Sequence, residues 1–216
     1  MKSSDYRRDG VLRAIIPRIE GKTVLDVGCI EHAFANRNMD RLWAHDVLRQ
    51  HARHVTGIDI VADAVRRYQD LGYDVRCESA ESFEHDCQYD VVFAGELIEH
   101  LSNPGLFLDR VSRHLKTDGC LIITTPNSFS VYCLGKVMLR FTNDPDVNDE
   151  HTAYYSPAVL QQLLSRHDFR ITRMCYVDYP HVSPLFKHRA ASWLCTMLGN
   201  KWRETMIAFA THDGAK

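Results

Sequence analysis

The chain has 216 residues, of which 45% are apolar and 25% are charged, and its formal net charge is −2. This length and composition favour one globular domain that spans residues 1–216. The slight acidic excess argues against DNA as a partner and disfavours RNA, because nucleic-acid binding depends on basic surfaces. No apolar run approaches the roughly 18 residues that a membrane span needs, and the N-terminal residues lack the apolar core of a signal peptide.

The cysteines are scattered along the chain, and none of them forms a Cys-x-x-Cys pair. An odd number, seven, without paired spacing is typical of reduced thiols rather than of a disulfide framework or a zinc site. The sequence therefore predicts a cytoplasmic protein.

Strand and helix patterns alternate along the first 125 residues. Short apolar, β-branched runs predict strands at 23–27, 54–60, 74–77, 89–94 and 120–125. Helical spacing predicts helices at 41–52, 62–71 and 103–115. Within the first of these helices, Trp43, His45 and His51 are predicted to pack or to face solvent. This alternation predicts a mainly parallel sheet with helices on both faces.

The regular alternation of strand and helix patterns ends after Pro126. Patterns in this part predict helices at 131–139, 158–166 and 189–198, and strands at 169–177 and 205–211. The complete prediction is an α/β, Rossmann-like sheet of about seven strands with an antiparallel C-terminal strand. Two irregular inserts, at about 127–150 and 180–203, have lengths typical of lids or binding loops. The apolar stretch in the first insert also suits a contact between two copies, so a homodimer is one expectation.

Candidate ligand-binding residues follow the first two predicted strands. Open parallel sheets bind ligands at the carboxyl ends of their strands, where the strand order reverses. Gly28 ends the first strand, and a glycine there lets the backbone approach a ligand closely. Asp59 ends the second strand, where an acidic side chain can accept hydrogen bonds from two ribose hydroxyls.

The segment Val24-Leu25-Asp26-Val27-Gly28-Cys29 resembles the first motif of the Rossmann-fold S-adenosylmethionine (SAM)-dependent methyltransferases. The resemblance extends over roughly residues 10–211, and it implies SAM as the cofactor. Asp26 would then favour the cationic methionine end of SAM, and Asp59 would bind the ribose. The implied cofactor contacts are Asp26, Gly28, Cys29, Asp59, Ile60, Ser79, Ala80, Glu81, Gly95 and Glu96.

One departure from the family pattern lies in the first motif. After the first Gly-Cys the family continues with Gly-x-Gly, whereas this chain continues with Ile30-Glu31-His32, which brings side chains to the methionine end of the site. A Rossmann-like domain that has lost its cofactor and acts as a non-catalytic binding module is therefore one alternative. NAD fits poorly, because it requires a glycine-rich turn that leads directly into a helix.

The segments that follow strands four and five carry the second resemblance. The stretch 89–127 contains Glu-Leu-Ile-Glu-His at 96–100 and Thr-Thr-Pro-Asn at 124–127, and Glu-His-Thr follows at 150–152. This ordered set resembles the ubiquinone-type O-methyltransferases and the methyltransferases of glycan-assembly loci. It implies methyl transfer from SAM to a hydroxyl of a small molecule or a sugar.

The predicted catalytic residues are His151, His100 and Glu99. Methyl transfer is an in-line displacement, for which the enzyme positions the acceptor and accepts its proton. Histidine suits that proton transfer near neutral pH, so we predict His151 as the base, with His100 oriented by a carboxylate. A purely structural alternative is that Glu99 and His100 cap the following helix and brace the loop.

A third interpretation is a divalent-metal site. Glu96, Glu99, His100 and His151 resemble the metal-binding set of the small-RNA 3′-terminal 2′-O-methyltransferases. Two carboxylates and two imidazoles could hold a cation that binds and acidifies a hydroxyl. Against this interpretation, the aromatic-rich element that follows the last histidine in that family is absent. The sequence leaves the structural, the metal-free and the metal-assisted roles open.

Overall fold

The computed structural model describes residues 10–30, 43–140, 150–178, 195 and 197–213. Within them, seven strands form one sheet in the order β3-β2-β1-β4-β5-β7-β6. The strands are β1 Thr23–Val27, β2 His54–Asp59, β3 Val75–Cys77, β4 Tyr89–Gly95, β5 Leu115–Pro126, β6 Phe169–Val177 and β7 Thr205–His212. All neighbouring pairs are parallel except those of β7, which is antiparallel to both β5 and β6. The predicted Rossmann-like α/β fold with an antiparallel C-terminal strand is therefore confirmed.

The helices of the described residues connect and cover these strands. They are α1 Gly10–Ile19, α2 Ala44–His51, α3 Ala62–Asp70, α4 Pro104–His114, α5 Val131–Arg140 and α6 Pro157–Ser165, with short 3-10 helices at Ile98–His100 and Asn200–Trp202. Helix α1 was not predicted, although Leu12, Ile15 and Ile19 bury one face of it. Its length of 10 residues and its internal Pro17 weaken the helical signal.

Alternate residues of the central strand β4 enter two different cores. Val92 and Ala94 pack in a core that includes Phe107 of α4 and Leu160 of α6. Val91 and Phe93 point the opposite way, into a core that includes Ile15 of α1 and Leu48 of α2. Side chains of a strand alternate between the faces of the sheet, so β4 needs apolar residues at every position because both faces are covered. The predicted helices on both faces are confirmed.

Strand β5 begins earlier than predicted, at Leu115 rather than at Cys120. The polar stretch Lys116-Thr117-Asp118-Gly119 carries a turn signal, but its backbone is part of the extended strand. The pairing of β4 with β5 shifts register between Tyr89 and Val91, which is where the two strands start. A bulge of this kind accommodates residues that break the apolar pattern.

The prediction of a single domain with two inserts stays a prediction. The first insert is described over 127–140 and at 150, and most of the second lies outside the described residues. No helix in the described ranges is long and apolar enough to cross a membrane. All seven cysteines are described, and each carries a free thiol.

A carboxylate at the amino end of the sheet joins three strands. Asp90 Oδ2 accepts hydrogen bonds from the backbone N and the Oγ1 of Thr23, at 2.8 and 2.7 Å, and Asp90 Oδ1 accepts one from Lys116 Nζ at 2.8 Å. Burial opposes the charged form, but the bonds from Lys116 and Thr23 prevail and hold the pKa of Asp90 well below its usual range. The ionised carboxylate therefore stabilises the start of β1, β4 and β5.

We expect Asp90→Asn to lower the free energy of unfolding by about 2 kcal/mol at pH 7, because it removes charge-assisted hydrogen bonds. A depressed carboxyl pKa adds stability that is complete above the unfolded-state pKa of about 3.9 and is lost as the pH falls below it. Urea unfolding at pH 7 and at pH 3 measures both effects. An equal gap between variant and wild type at the two pH values would contradict this account.

Candidate active site

The site lies at the carboxyl edge of the sheet, where the strand order reverses between β1 and β4. From β1 the chain proceeds outward through β2 to β3, and from β4 it proceeds outward through β5 on the other side. The loops that leave β1 and β4 therefore diverge and open a crevice between them. The predicted residues Gly28, Gly95 and Glu96 lie at this point.

Gly28 adopts a backbone conformation that only glycine accepts easily, with φ of 72°. A Cβ on this residue would lie 2.9 Å from Cδ1 of Leu97, which comes from the loop after β4. The backbone N atoms of Gly28 and Cys29 both donate to the carbonyl of Ile58, at 2.9 and 3.2 Å. The first turn is thus pinned to β2 and packs closely against the β4 loop.

We expect Gly28→Ala to weaken binding of S-adenosylhomocysteine (SAH) by about tenfold and to cost about 1–2 kcal/mol of stability through backbone strain and the Leu97 contact. Calorimetric titration with SAH measures the affinity. Gly72→Ala is a matched control, because Gly72 also has positive φ, 83°, but a Cβ there would meet no atom within 4 Å. Equal loss of affinity in both variants would show that strain alone, not the contact, is responsible.

Asp59, predicted to bind ribose, is largely buried at the end of β2. Its Oδ2 accepts a hydrogen bond from the backbone N of Ile30 at 2.9 Å, and its Oδ1 accepts one from that of Val61 at 3.0 Å. Burial raises the pKa of Asp59, and the bonds from Val61 and Ile30 act against it. A carboxylate offers about four lone-pair positions, more than these backbone donors occupy, so it can still accept a hydrogen bond from a ligand. The predicted neighbour Ile60 has a side chain that is 72% exposed, an apolar surface at the rim of this crevice.

Asp26 has a partner that the sequence did not predict. It is buried, and its Oδ2 lies 2.8 Å from Nδ1 of His45 on α2, a histidine that is fully buried at 0% exposure. Nε2 of His45 has no hydrogen-bond partner in the described part of the chain. The prediction that His45 packs or faces solvent was therefore incomplete: it packs, and it also holds the acidic residue of the first motif.

The segment after β3 carries the predicted adenine contacts Ser79, Ala80 and Glu81. Ser79 Oγ accepts a hydrogen bond from the backbone N of Glu81 at 3.2 Å, and Ala80 is buried. Oε1 of Glu81 accepts a hydrogen bond from the backbone N of Asn103, 2.7 Å away, in the residue that caps α4. The segment is therefore closed by its own hydrogen bonds and tied to α4, and its contact with adenine stays a prediction.

Two acidic side chains follow β4. Glu96 has a positive φ of 49°, and its backbone N donates to the carbonyl and the Oγ1 of Thr124, both at 3.0 Å. Glu99 is 1% exposed, and its Oε2 accepts a hydrogen bond from Thr125 Oγ1 at 2.9 Å. In the described ranges, the other carboxyl oxygen of Glu99 and one of Glu96 are buried without a hydrogen-bond partner.

The electrostatics of these carboxyls reflect that burial. Burial, followed by the charge of Glu99, raises the pKa of Glu96 to about 8, against a hydrogen bond with Thr124. Burial also raises the pKa of Glu99 to about 7. Two buried carboxyls that resist ionisation form a place where a proton or a cation is favoured near neutral pH.

Two histidines complete the cluster. The ring centroids of His100 and His151 lie 4.7 Å apart with the ring planes at 84°. One ligand atom each of Glu99, His100 and His151 lies within 4.8 Å of the others. Burial and then the charge of His100 lower the pKa of His151, while Glu150 acts in the opposite sense. We call Glu96, Glu99, His100 and His151 the EEHH cluster.

Hydrogen bonds from Thr152 bring the distant His151 to the turn after β4. The backbone N of Thr152 donates to the carbonyl of Glu99 at 2.7 Å, and its Oγ1 donates to the carbonyls of Glu99 and Leu101 at 3.0 and 2.8 Å. The segment that carries His151 therefore docks on the 3-10 helix that carries Glu99 and His100. All three predicted catalytic residues lie together.

Comparison with known proteins identifies the family. Residues 4–173 match a family described as a methyltransferase domain, and this match covers well over half of the chain. The chain belongs to the methyltransferase-domain family. Its membership and the shared fold support SAM as the cofactor, as the sequence predicted.

Individual relatives of this methyltransferase domain are more distant. A ubiquinone biosynthesis O-methyltransferase of Bradyrhizobium diazoefficiens is 27% identical over 165 residues, which cover 74% of this chain and 62% of the relative. The chain thus spans less than two thirds of the length of that relative. A solved SAM-dependent methyltransferase from Archaeoglobus fulgidus superimposes with a TM-score of 0.61 at 20% identity, covering 93% of this chain and 91% of that one.

The fold does not specify which atom of an acceptor is methylated. The N-methyltransferase NodS from Bradyrhizobium japonicum has the same fold, with a TM-score of 0.58, 14% identity and coverage of 97% of this chain and 96% of that one. Function must therefore be argued from the residues of the methyltransferase site itself.

The chemistry of the EEHH cluster fits a divalent cation. It offers two carboxylates and two imidazoles, and the buried oxygens of Glu96 and Glu99 have no hydrogen-bond partner in the described ranges. Such mixed oxygen and nitrogen donors suit Mg²⁺, Mn²⁺ or Zn²⁺. Glu99, His100 and His151 therefore pass the test of donor type and proximity, and Glu96 passes that of donor type.

The Thr-Thr-Pro-Asn segment after β5 has a structural part. Asn127 is buried, and its Nδ2 donates to the carbonyls of Lys201 and Arg203 at 3.0 and 2.8 Å. Thr124 and Thr125 instead contact Glu96 and Glu99, as described above. The sequence located this segment but could not show that its asparagine fixes the end of β5 while its threonines support the carboxyls of the methyltransferase site.

Proposed function

We propose that this methyltransferase domain transfers a methyl group from SAM to a hydroxyl of a small molecule or a sugar. The observation that carries the proposal is the cluster of Glu99, His100 and His151, whose ligand atoms lie within 4.8 Å of one another beside the crevice. The names of relatives such as the ubiquinone biosynthesis O-methyltransferase of Bradyrhizobium diazoefficiens support an oxygen atom as the acceptor.

The transfer is a displacement at the methyl carbon. The bond from the acceptor oxygen to the methyl carbon forms as the bond from sulfur to that carbon breaks, which leaves SAH. The hydroxyl proton passes to the imidazole of His151, which is neutral at pH 7 because burial and His100 lower its pKa. The domain contributes mainly by holding donor and acceptor in line.

A panel of acceptors tests this function directly. Phenols, catechols, sugars and amines are incubated with SAM and the protein, and the products are analysed for an added methyl group and its position. The proposal requires an O-methylated product and formation of SAH in equal amount. Methylation of the amines alone would contradict it.

The donor set of the EEHH cluster favours a second candidate, a metal-assisted transfer whose acceptors include the 2′-hydroxyl at an RNA end. Glu96, Glu99, His100 and His151 would hold a divalent cation, which would bind the acceptor hydroxyl and lower its pKa. In that case chelation abolishes turnover and added Mg²⁺ or Mn²⁺ restores it, and a short RNA is methylated. Turnover that survives chelation assigns the proton transfer to His151 alone.

A non-catalytic module is the remaining alternative. It predicts that the folded protein fails to bind SAM or SAH in a calorimetric titration. The proposed small-molecule acceptor, the cytoplasmic location and the homodimer remain proposals alongside the function. Analytical ultracentrifugation of the purified protein measures the oligomeric state.

A further inference from the structure

The turn after β1 is held by side chains. Cys29 and Ile30, the second of which stands where the family pattern has a glycine, are both buried in a cluster that includes Trp43, Val65 and Tyr68. Their side chains therefore pack beneath the turn instead of filling the crevice above it. The side chain of Ile30 therefore does not crowd the methionine end as the sequence suggested, while Glu31 and His32 lie outside the described residues.

Two buried hydrogen bonds fix the backbone of this turn. Trp43 donates from its indole Nε1 to the carbonyl of Cys29 at 2.6 Å. The next residue, Ile30, donates its backbone N–H to Oδ2 of Asp59 at 2.9 Å. The turn is thus tied on one side to the start of α2 and on the other to the carboxylate at the end of β2.

The indole of Trp43 is itself held in place. Its ring centroid lies 4.3 Å from that of Tyr68, 4.9 Å from that of His45 and 5.0 Å from that of Tyr73. Tyr73 in turn donates from its hydroxyl to Asp46 Oδ1 on α2 at 3.1 Å. These contacts therefore give the indole N–H of Trp43 one well-defined position relative to the sheet.

We propose that Trp43 is a positioning residue for the cofactor. Its indole N–H holds the Cys29 carbonyl and thereby restrains the turn, in which Ile30 stands where the family pattern has a glycine. The position of the turn sets the Ile30 amide against Asp59, the carboxylate predicted to bind ribose. The inference concerns the cofactor side of the site and does not depend on the acceptor or on the base.

Trp43→Phe tests this role, because it keeps an aromatic ring and removes the N–H donor. A neutral hydrogen bond is worth on the order of 1 kcal/mol, so we expect the Kd for SAH and the KM for SAM to rise about three- to tenfold. The kcat at saturating SAM should stay unchanged, because Trp43 does not contact the reacting atoms. Calorimetry measures the Kd for SAH, and steady-state kinetics measures the KM for SAM and the kcat.

Val47→Ala is the matched control. Val47 lies on the same helix, α2, but it is buried in a different cluster, which includes Ile15 of α1 and Val24 of β1, and not in the cluster around Trp43. We expect this variant to lower thermal stability and to leave the SAH affinity unchanged. Wild-type affinity in Trp43→Phe would overturn the proposal, and so would an equal loss of affinity in Val47→Ala, because affinity would then follow stability.

A measurement on the wild-type protein covers the case in which Trp43→Phe does not fold. The chain has three tryptophans, so the indole N–H signal of Trp43 can be assigned by elimination with Trp193→Phe and Trp202→Phe. We expect that signal to resist hydrogen exchange and to shift when SAH saturates the site. Fast exchange, or a signal that SAH leaves unchanged, would overturn the proposal.

Discussion

His151→Ala is expected to lower kcat by about two to four orders of magnitude, the usual contribution of a general base, while the Kd for SAH stays at its wild-type value. The imidazole is the group of the EEHH cluster that is best suited to accept the acceptor proton, because its pKa is lowered by burial and by His100. Steady-state kinetics with an acceptor from the panel and calorimetry with SAH measure the two quantities. Full turnover with intact SAH binding would exclude His151 as the base.

His54→Ala provides the matched control for loss of an imidazole. His54 also lies next to a carboxylate, with Nε2 3.0 Å from Asp74 Oδ2, but it is exposed and begins β2 at the opposite edge of the sheet. We expect its kcat to equal that of the wild type. A similar loss in both variants would point to a general effect on the fold instead of proton transfer.

The pH profile of the wild type gives a second test of the same role. A base must be deprotonated, and the pKa of His151 is lowered from its ordinary value. We therefore expect kcat/KM to fall at acid pH, with the part of that fall that His151 causes absent in His151→Ala, whereas the part due to Glu99, whose pKa is raised to about 7, remains in the variant. Chelated samples are used, so that a bound cation does not shift this fall.

Local sequence patterns predicted the strands that position the site. Both faces of the sheet are covered by helices, so these strands are rich in apolar residues and easy to recognise. Strand β6 begins and ends where its alternation predicts, at Phe169 and Val177. Helix α1 and the first residues of β5 were missed, because their stability comes from packing against the sheet and not from propensity.

The predicted site residues followed from motifs, but their partners did not. The contacts between Asp26 and His45 and between Cys29 and Trp43 join residues separated by 19 and 14 positions across a segment without a recognisable motif. Hydrogen bonds of this kind depend on where α2 packs against the sheet. No pattern within the sequence encodes that position, so only the folded structure reveals which side chains hold the first motif.

Glu99→Gln is expected to lower turnover by at least about a hundredfold and, at the same time, to stabilise the fold. Glu99 is buried, and its Oε1 has no hydrogen-bond partner in the described residues, so its charge is costly to the folded state. Glutamine has nearly the same shape and removes that charge, while its amide oxygen can still accept the hydrogen bond from Thr125. If Glu99 destabilises the fold but serves the reaction, its replacement lowers turnover and raises the free energy of unfolding in the same variant.

The pH dependence of this stabilisation fixes its cause. The pKa of Glu99 is raised to about 7 in the folded protein. A carboxyl with a raised pKa costs no stability below its unfolded pKa of about 4.3, and the cost grows as the pH rises and is complete above the folded pKa. In the presence of a chelator, we therefore expect Glu99→Gln to exceed the wild type by about 2 kcal/mol at pH 8 and by little at pH 5.

Urea unfolding at the two pH values measures the difference, and Glu84→Gln is the control because that carboxylate is exposed on the surface. The control should show no gain at pH 8 and unchanged turnover. If Glu99→Gln were less stable than the wild type at pH 8, Glu99 would serve the fold as a brace. If it were more stable and inactive, the same carboxylate that destabilises the empty site would be the one that serves the transfer, as a positioning group or as a ligand of the cation.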